Sequence, residues 1–311
     1  MATNQYKKLW LKAQKKKLKL AREQEKQIKE IYKELYKETC DRVSMIDENK
    51  LQHRYLSEVK KAYEEAIRNS NKKIQKVIKK NIKESSELAN NVQLDFFNLI
   101  NEKYSLDMKE TFKNMFAKVP EEVAKEILFG KAYSDRKGLS ERIWRDTKAF
   151  DKDIDYIISK GILDKKSSIE IAKDLEKYVK TSAKIDTDWS KCYPGSRKKI
   201  DYNAQRLART SVSHAFQQAQ IRSCKKNIYV EGIQWLTSNA HSRTCQLCKD
   251  RDGVIYNKND VPLDHPSGLC CTIPILTKSL EEIGAELRDW VDGAENEKLD
   301  KWLKDNWRDF T

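Results

Sequence analysis

Between Ser242 and Leu276 the chain reads SRTCQLCKDRDGVIYNKNDVPLDHPSGLCCTIPIL, and this window restricts the fold more than any other. Cys245 and Cys248 form a C-x-x-C, His265 follows, and Cys270 and Cys271 end the run, so four of the seven cysteines and one of the four histidines fall together. A C-x-x-C turn puts two sulfurs on one side of a tight knuckle. A histidine and a third cysteine returning from a second strand complete four soft or borderline donors, the tetrahedral set that suits Zn²⁺. Cys245, Cys248, His265 and Cys270 are the expected ligands. Neighbours on a strand point to opposite faces, so Cys270 and Cys271 are not expected to reach one ion together, and Cys271 stands as the other candidate for the fourth place. A site closed by four side chains is structural, and it folds a small β-rich region that buries too little to hold itself. Against this stand a redox dithiol and plain thiols in a reducing compartment. No helix-opening context of the thioredoxin type is visible around the pair.

Around this window the chain is mostly helix-forming. Charged residues make up 35% and hydrophobic residues 39% of the 311, with few Gly and very few Pro, a balance that suits long solvent-washed helices and argues against a β-sandwich. The expected class is α+β, predominantly α: long N-terminal helices, hairpin or coiled-coil-like, then a helical domain with a small sheet and the cysteine knuckle. A formal net charge of +14 favours polyanionic partners, nucleic acid or an acidic protein face. Lysines break up the first apolar residues, and no apolar run is long enough to span a bilayer, so neither a secretory leader nor a membrane helix is expected. Seven cysteines without a framework spacing point to a reducing compartment, and Cys40, Cys192 and Cys224 read as small buried hydrophobes.

Three regions are expected along the chain: a basic helical arm over 1–130, a domain over 139–276 holding the knuckle at 242–276, and a helical tail over 277–311. Residues 1–43 read as one helix that carries Lys7, Lys8, Lys12, Lys15, Lys16, Lys17 and Lys19 before its first acid, Glu23. That run is either an arm for nucleic acid or an acidic oligomer, or a solvated or frayed helix. A second helix is expected over 47–90, with a less periodic stretch over 92–129 and Pro120 in the first turn of a short helix. Gly161 is expected to end a helix begun near Ser140, and residues 181–199 read as a loop. Ser167-x-x-Glu170 and Ser279-x-x-Glu282 are capping boxes. On the helix over 203–224, Ala208, Val212, Ala215 and Ala219 form a narrow face of small side chains for close packing, and His214 reads as a packed or hydrogen-bonded residue. Strands are expected around Ile233–Thr237, Gly253–Tyr256 and Cys271–Ile275, the last confined to an edge by Pro274.

One order of features carries a resemblance. Arg206-Leu207-Ala208-Arg209-Thr210 on a helix precedes a strand with Trp235. Ser242-Arg243-Thr244-Cys245-x-x-Cys248, Asp252-Gly253 and Pro262-x-x-His265-Pro266-x-Gly268-x-Cys270 then follow. This resembles the phage minor head protein family, also called head morphogenesis or Mu F-like proteins, over residues 139–276 and most specifically over 206–274. Two departures stand out: Ser211 where members often have glutamate after the Arg-Thr, and Gly268 where many have the first cysteine of His-Pro-x-Cys-x-Cys. The resemblance implies a non-enzymatic virion component present in few copies, inside the head near the portal and in the host cytoplasm during assembly. It implies association with the portal protein oligomer and, non-specifically, with double-stranded DNA, with scaffold or major capsid protein as further partners, no membrane during assembly, and a part in genome delivery. Two rivals remain. A His-Asn-His-type nuclease would need a general-base histidine and open metal positions, and His241 is the only spare histidine nearby. A zinc-containing nucleic-acid-binding regulator would need a recognition helix, which the knuckle window does not suggest.

Overall fold

The computed structural model describes residues 2–47, 52–183, 200–237, 244–266 and 268–310. Cys192, His241, Ser242, Arg243 and the loop expected over 181–199 beyond residue 183 lie outside the described residues, as does the side chain of Cys40. The fold is predominantly helical, with long N-terminal helices that pack together and a small three-stranded antiparallel sheet near the cysteine cluster. The chain forms two compact units, each drawn from separated stretches: one from residues 1–21, 81–127 and 210–311, the other from 22–80 and 128–209.

Helix α1 runs over Ala2–Ser44 and α2 over Gln52–Tyr104. The second helix continues through the expected break near residue 91. Buried Ser85, Ser86, Asn90 and Gln93 interrupt its apolar stripe in the sequence, but each finds a partner in the fold. Ser85 Oγ donates to the Val212 carbonyl (2.7 Å), Ser86 Oγ to that of Ile82 (2.9 Å), Asn90 Nδ2 to that of Phe116 (3.0 Å), and Gln93 Nε2 to the Tyr6 hydroxyl (2.6 Å). A buried polar group that is hydrogen-bonded does not break a helix face.

The second unit includes α5 (Leu139–Leu163) and α6 (Ser168–Ala183). Gly161 lies inside α5 and does not end it. A Cβ there would stand 2.5 Å from Ile171 Cγ1, so glycine serves close approach of α6. The Ser167–Glu170 capping box is formed at the start of α6, with Glu170 accepting from Ser167 N at 2.8 Å.

Helices α3 (Lys109–Ala117) and α4 (Val119–Leu128) follow α2, and α7 (Ile200–Lys226), which belongs to the first unit from Thr210 on, leads into the sheet. The strands are β1 (Val230–Leu236), β2 (Ile255–Asn257) and β3 (Cys271–Leu276), in the order β2-β1-β3, all antiparallel. Pro274 therefore sits on an edge strand, where its missing N–H costs no ladder bond. Helices α9 (Leu280–Val291) and α10 (Glu297–Phe310) close the chain, and α9 opens with the Ser279–Glu282 capping box.

A chain of rings forms the core of this unit. Trp302 stacks on Phe97 (6.0 Å between centroids), Phe97 meets Phe96 (5.1 Å), Phe96 meets Tyr6 (4.7 Å), Tyr6 meets Trp10 (6.3 Å), and Trp10 stands edge-on to Phe216 of α7 (6.2 Å). Tyr6 and Trp10 are each 1% exposed, so the first turns of α1 are packed and not frayed.

Candidate metal centre

The short helix α8 (Gln246–Arg251) begins at the C-x-x-C. Cys245 is its N-cap and Cys248 lies in its first turn, with Cys248 N donating to the Cys245 carbonyl at 3.1 Å. The pair does open a helix, contrary to the sequence expectation. The six residues from 246 to 251 hold too little apolar periodicity for a helix of that length to be legible. His265 and Cys270 come from the connection between β2 and β3, Cys270 being the last residue before β3.

Cys248, 2% exposed, is the hub. Its Sγ lies 3.1 Å from His265 Nε2 and 3.3 Å from Cys270 Sγ. The donor atoms of Cys245, Cys248 and His265 fall within 4.8 Å of one another, and so do those of Cys248, Asp264 and Cys270. Around tetrahedral zinc, with bonds of about 2.3 Å to sulfur, two sulfurs stand about 3.8 Å apart. An ion would therefore spread the Cys248–Cys270 pair by roughly half an ångström, and a single four-ligand site would also have to draw Cys270 toward Cys245 and His265, with which it shares no donor group. Cys271 belongs to neither group; its thiol is turned toward the Thr272 carbonyl (3.8 Å), as strand alternation dictates.

The histidine is already oriented. Its Nδ1 donates to the Pro266 carbonyl at 3.1 Å, which leaves Nε2 as the lone-pair nitrogen facing Cys248. Metal-bound histidines commonly use such a backbone acceptor to fix the tautomer. Burial pushes the Cys248 thiol well above the usual range and raises that of Cys270; Cys270 raises Cys248 further, and Asp264 raises Cys270. Both are therefore protonated near neutrality, and a metal ion bound here would release their protons.

Asp264 is the residue the sequence reading missed as part of the site. Its carboxylate, 7% exposed with the rest of the residue, accepts from His265 N at 2.9 Å and from Cys270 N at 3.2 Å, tying together the two ends of the loop that carries both donors. It also accounts for Gly268, because a Cβ there would meet Asp264 Oδ2 at 2.0 Å.

A polar face of α7 holds the loop from below. His214 Nε2 donates to the Asp264 carbonyl (2.9 Å). The Gln217 amide donates to the Pro262 carbonyl and accepts from Asp264 N, both at 2.9 Å. Gln220 Nε2 donates to the Thr272 carbonyl (2.8 Å), and Ser213 Oγ to that of Gly268 (3.4 Å). The small face expected on the same helix is also present, Ala208, Val212, Ala215 and Ala219 being buried. The signal for both faces was in the sequence: from Thr210 to Ile221 there is no Asp, Glu, Lys or Arg, in a chain that is 35% charged. A helix without charge over three turns is buried on more than one side.

The lysines of α1 divide. Lys7, Lys8, Lys12, Lys15, Lys16 and Lys19 are exposed, whereas Lys17 is buried against the knuckle, its Nζ 5.2 Å from the centre of the Phe216 ring. Among the described residues no helix is long and apolar enough to cross a membrane. No protein-family model matches the chain, and neither the curated proteins nor the solved structures compared with it give a match.

Proposed function

We propose that the chain is a structural, non-enzymatic phage minor head protein whose C-terminal part is held by zinc and whose first helix offers a basic face to DNA. The observation that carries the zinc reading is the convergence of Cys245, His265 and Cys270 on Cys248, with His265 already in its ligand tautomer. Thiolate and imidazole donors select zinc over hard cations, and four protein donors leave no open position for a substrate. His214 spends its Nε2 on the Asp264 carbonyl, and His265 points its own at Cys248, which favours a structural centre over a nuclease. The place in a virion rests on the motif order from Arg206 to Cys270. Six exposed lysines before Glu23 on α1 and a net charge of +14 suit double-stranded DNA. The portal oligomer is the protein partner.

The test is a tagged chain recovered from cells that express it with the portal and capsid proteins of its phage. Electron microscopy should show portal rings in the eluate, and elemental analysis one zinc per chain. Zinc-free protein removes the metal reading, and a zinc-loaded protein that never brings down a ring removes the head-protein reading. Changing Lys7, Lys8, Lys12, Lys15, Lys16 and Lys19 to Gln should flatten the salt dependence of DNA retention, by about 0.9 in log–log slope for each phosphate no longer neutralised.

A further inference from the structure

Lys17 and Asp264 are the only Lys, Arg, Asp or Glu side chains buried among the described residues, and both line one cavity of about 10 Å³ with Gln14, Phe216 and Cys270. They come from opposite ends of the chain. Lys17 is 4% exposed and packs its ammonium over the Phe216 ring, with no carboxylate at ion-pair distance among the described residues. Asp264 spends its oxygens on the amides of His265 and Cys270. A buried ammonium without a direct partner is costly, so a position that keeps one calls for an anion that forms beside it.

We propose that Lys17 is the counter-charge of the loaded metal centre, and that loading thereby locks the N-terminal turns of α1 onto the knuckle. This rests on the zinc reading above. Three thiolates and a neutral imidazole around Zn²⁺ leave a net negative charge, and the Asp264 carboxylate adds another. Lys17 is the one lysine that faces this group from within the protein. Its helix is already seated there: Gln14 Nε2 reaches the Cys270 carbonyl (3.4 Å), and Trp10 stands against Phe216. Coupling of this kind is reciprocal. Lys17 strengthens zinc binding, and zinc in turn fixes residues 6–17, the stretch that carries five of the six exposed lysines before Glu23. Lys17 is a positioning residue for the centre and not a ligand.

The experiment uses the full chain and its Lys17→Met variant, methionine keeping the length of the stem without the charge. Zinc affinity is measured by competition with a chromophoric chelator, and amide hydrogen exchange of residues 6–17 is followed with zinc and after chelation. Lys17→Met should weaken zinc binding about tenfold or more, the usual loss for an outer-shell partner. In the wild type, zinc should slow exchange over residues 6–17, and this slowing should shrink in the variant. Equal zinc affinity in the two proteins overturns the proposal while leaving the zinc reading intact. A wild type that binds no zinc overturns both. If the variant fails to fold, the wild type decides, since exchange over residues 6–17 that ignores zinc overturns the proposal.

Discussion

Two regions of the first compact unit share α1 and α7 but are held by different forces. The ring chain from Trp302 through Phe97, Phe96 and Tyr6 to Trp10 is held by burial of apolar area, and its members stand 4.7–6.3 Å apart between centroids. The loop from Pro262 to Cys270 has no such core. It is suspended from Ser213, His214 and Gln217 of α7 and from the Asp264 carboxylate by hydrogen bonds, each worth about 1 kcal/mol net. The ring chain packs without an ion, and only its Tyr6–Trp10 end lies on the stretch of α1 that the proposed zinc coupling reaches. The loop, shaped in advance with its donors converging, gains most of its rigidity from one.

The largest effect should come from the ring chain and be blind to metal. Phe97 is fully buried and packs on Phe96, Phe112, Phe116 and Trp302. Phe97→Ala should cost about 3–5 kcal/mol in urea unfolding, by the same amount with zinc and with chelator. A cost that grows or shrinks with zinc would show that the two regions are not independent. Gly268→Ala comes next and should invert the pattern. Its methyl would collide with the Asp264 carboxylate, for a loss of about 1–3 kcal/mol, and the displaced carboxylate should release the His265 and Cys270 amides. Zinc affinity should fall sharply while the near-ultraviolet signature of the ring chain persists.

A third test reads the apolar side by pH. Cys224 sits beside Tyr6 and accepts from Gln93 Nε2 at 3.1 Å, and burial pushes its thiol up to about 12 from an ordinary 9.0. The folded state then holds a proton that the unfolded chain gives up. This contribution is fully present below pH 9 and is lost toward pH 12, at about 1.4 kcal/mol per pH unit. Cys224→Ala should remove one proton's worth of that alkaline slope.

The metal donors were legible because thiol and imidazole spacing is a local pattern, and so was the packed small face of α7. Asp264 was not, because its carboxylate serves backbone amides that only the folded loop turns toward it, and neither were Gln217 and Gln220, because a polar residue looks solvent-facing in a sequence until the carbonyl it serves is known. That carbonyl lies 45 residues or more away. Gly161 misled for a related reason: a glycine that admits a neighbouring helix and one that ends its own helix are the same letter. Lys17 was hidden among six exposed lysines. Only its register with Tyr6, Trp10, Ala13 and Gln14, one side of a 3.6-residue repeat, sets it on the buried face.

The smallest effect tests the other side of the contrast. Ser213→Ala removes the bond from Oγ to the Gly268 carbonyl, which at 3.4 Å is long for a hydroxyl donor. Stability should fall by about 0.5 kcal/mol, at the low end for a neutral hydrogen bond. The same change should be felt more in zinc release, because Gly268 sits between His265 and Cys270 and its amide donates to the His265 carbonyl at 2.8 Å. A faster zinc off-rate with almost unchanged unfolding would mean that α7 positions the loop for the ion more than it holds the fold together. An unchanged off-rate would assign that positioning to Asp264 and Gln217 alone.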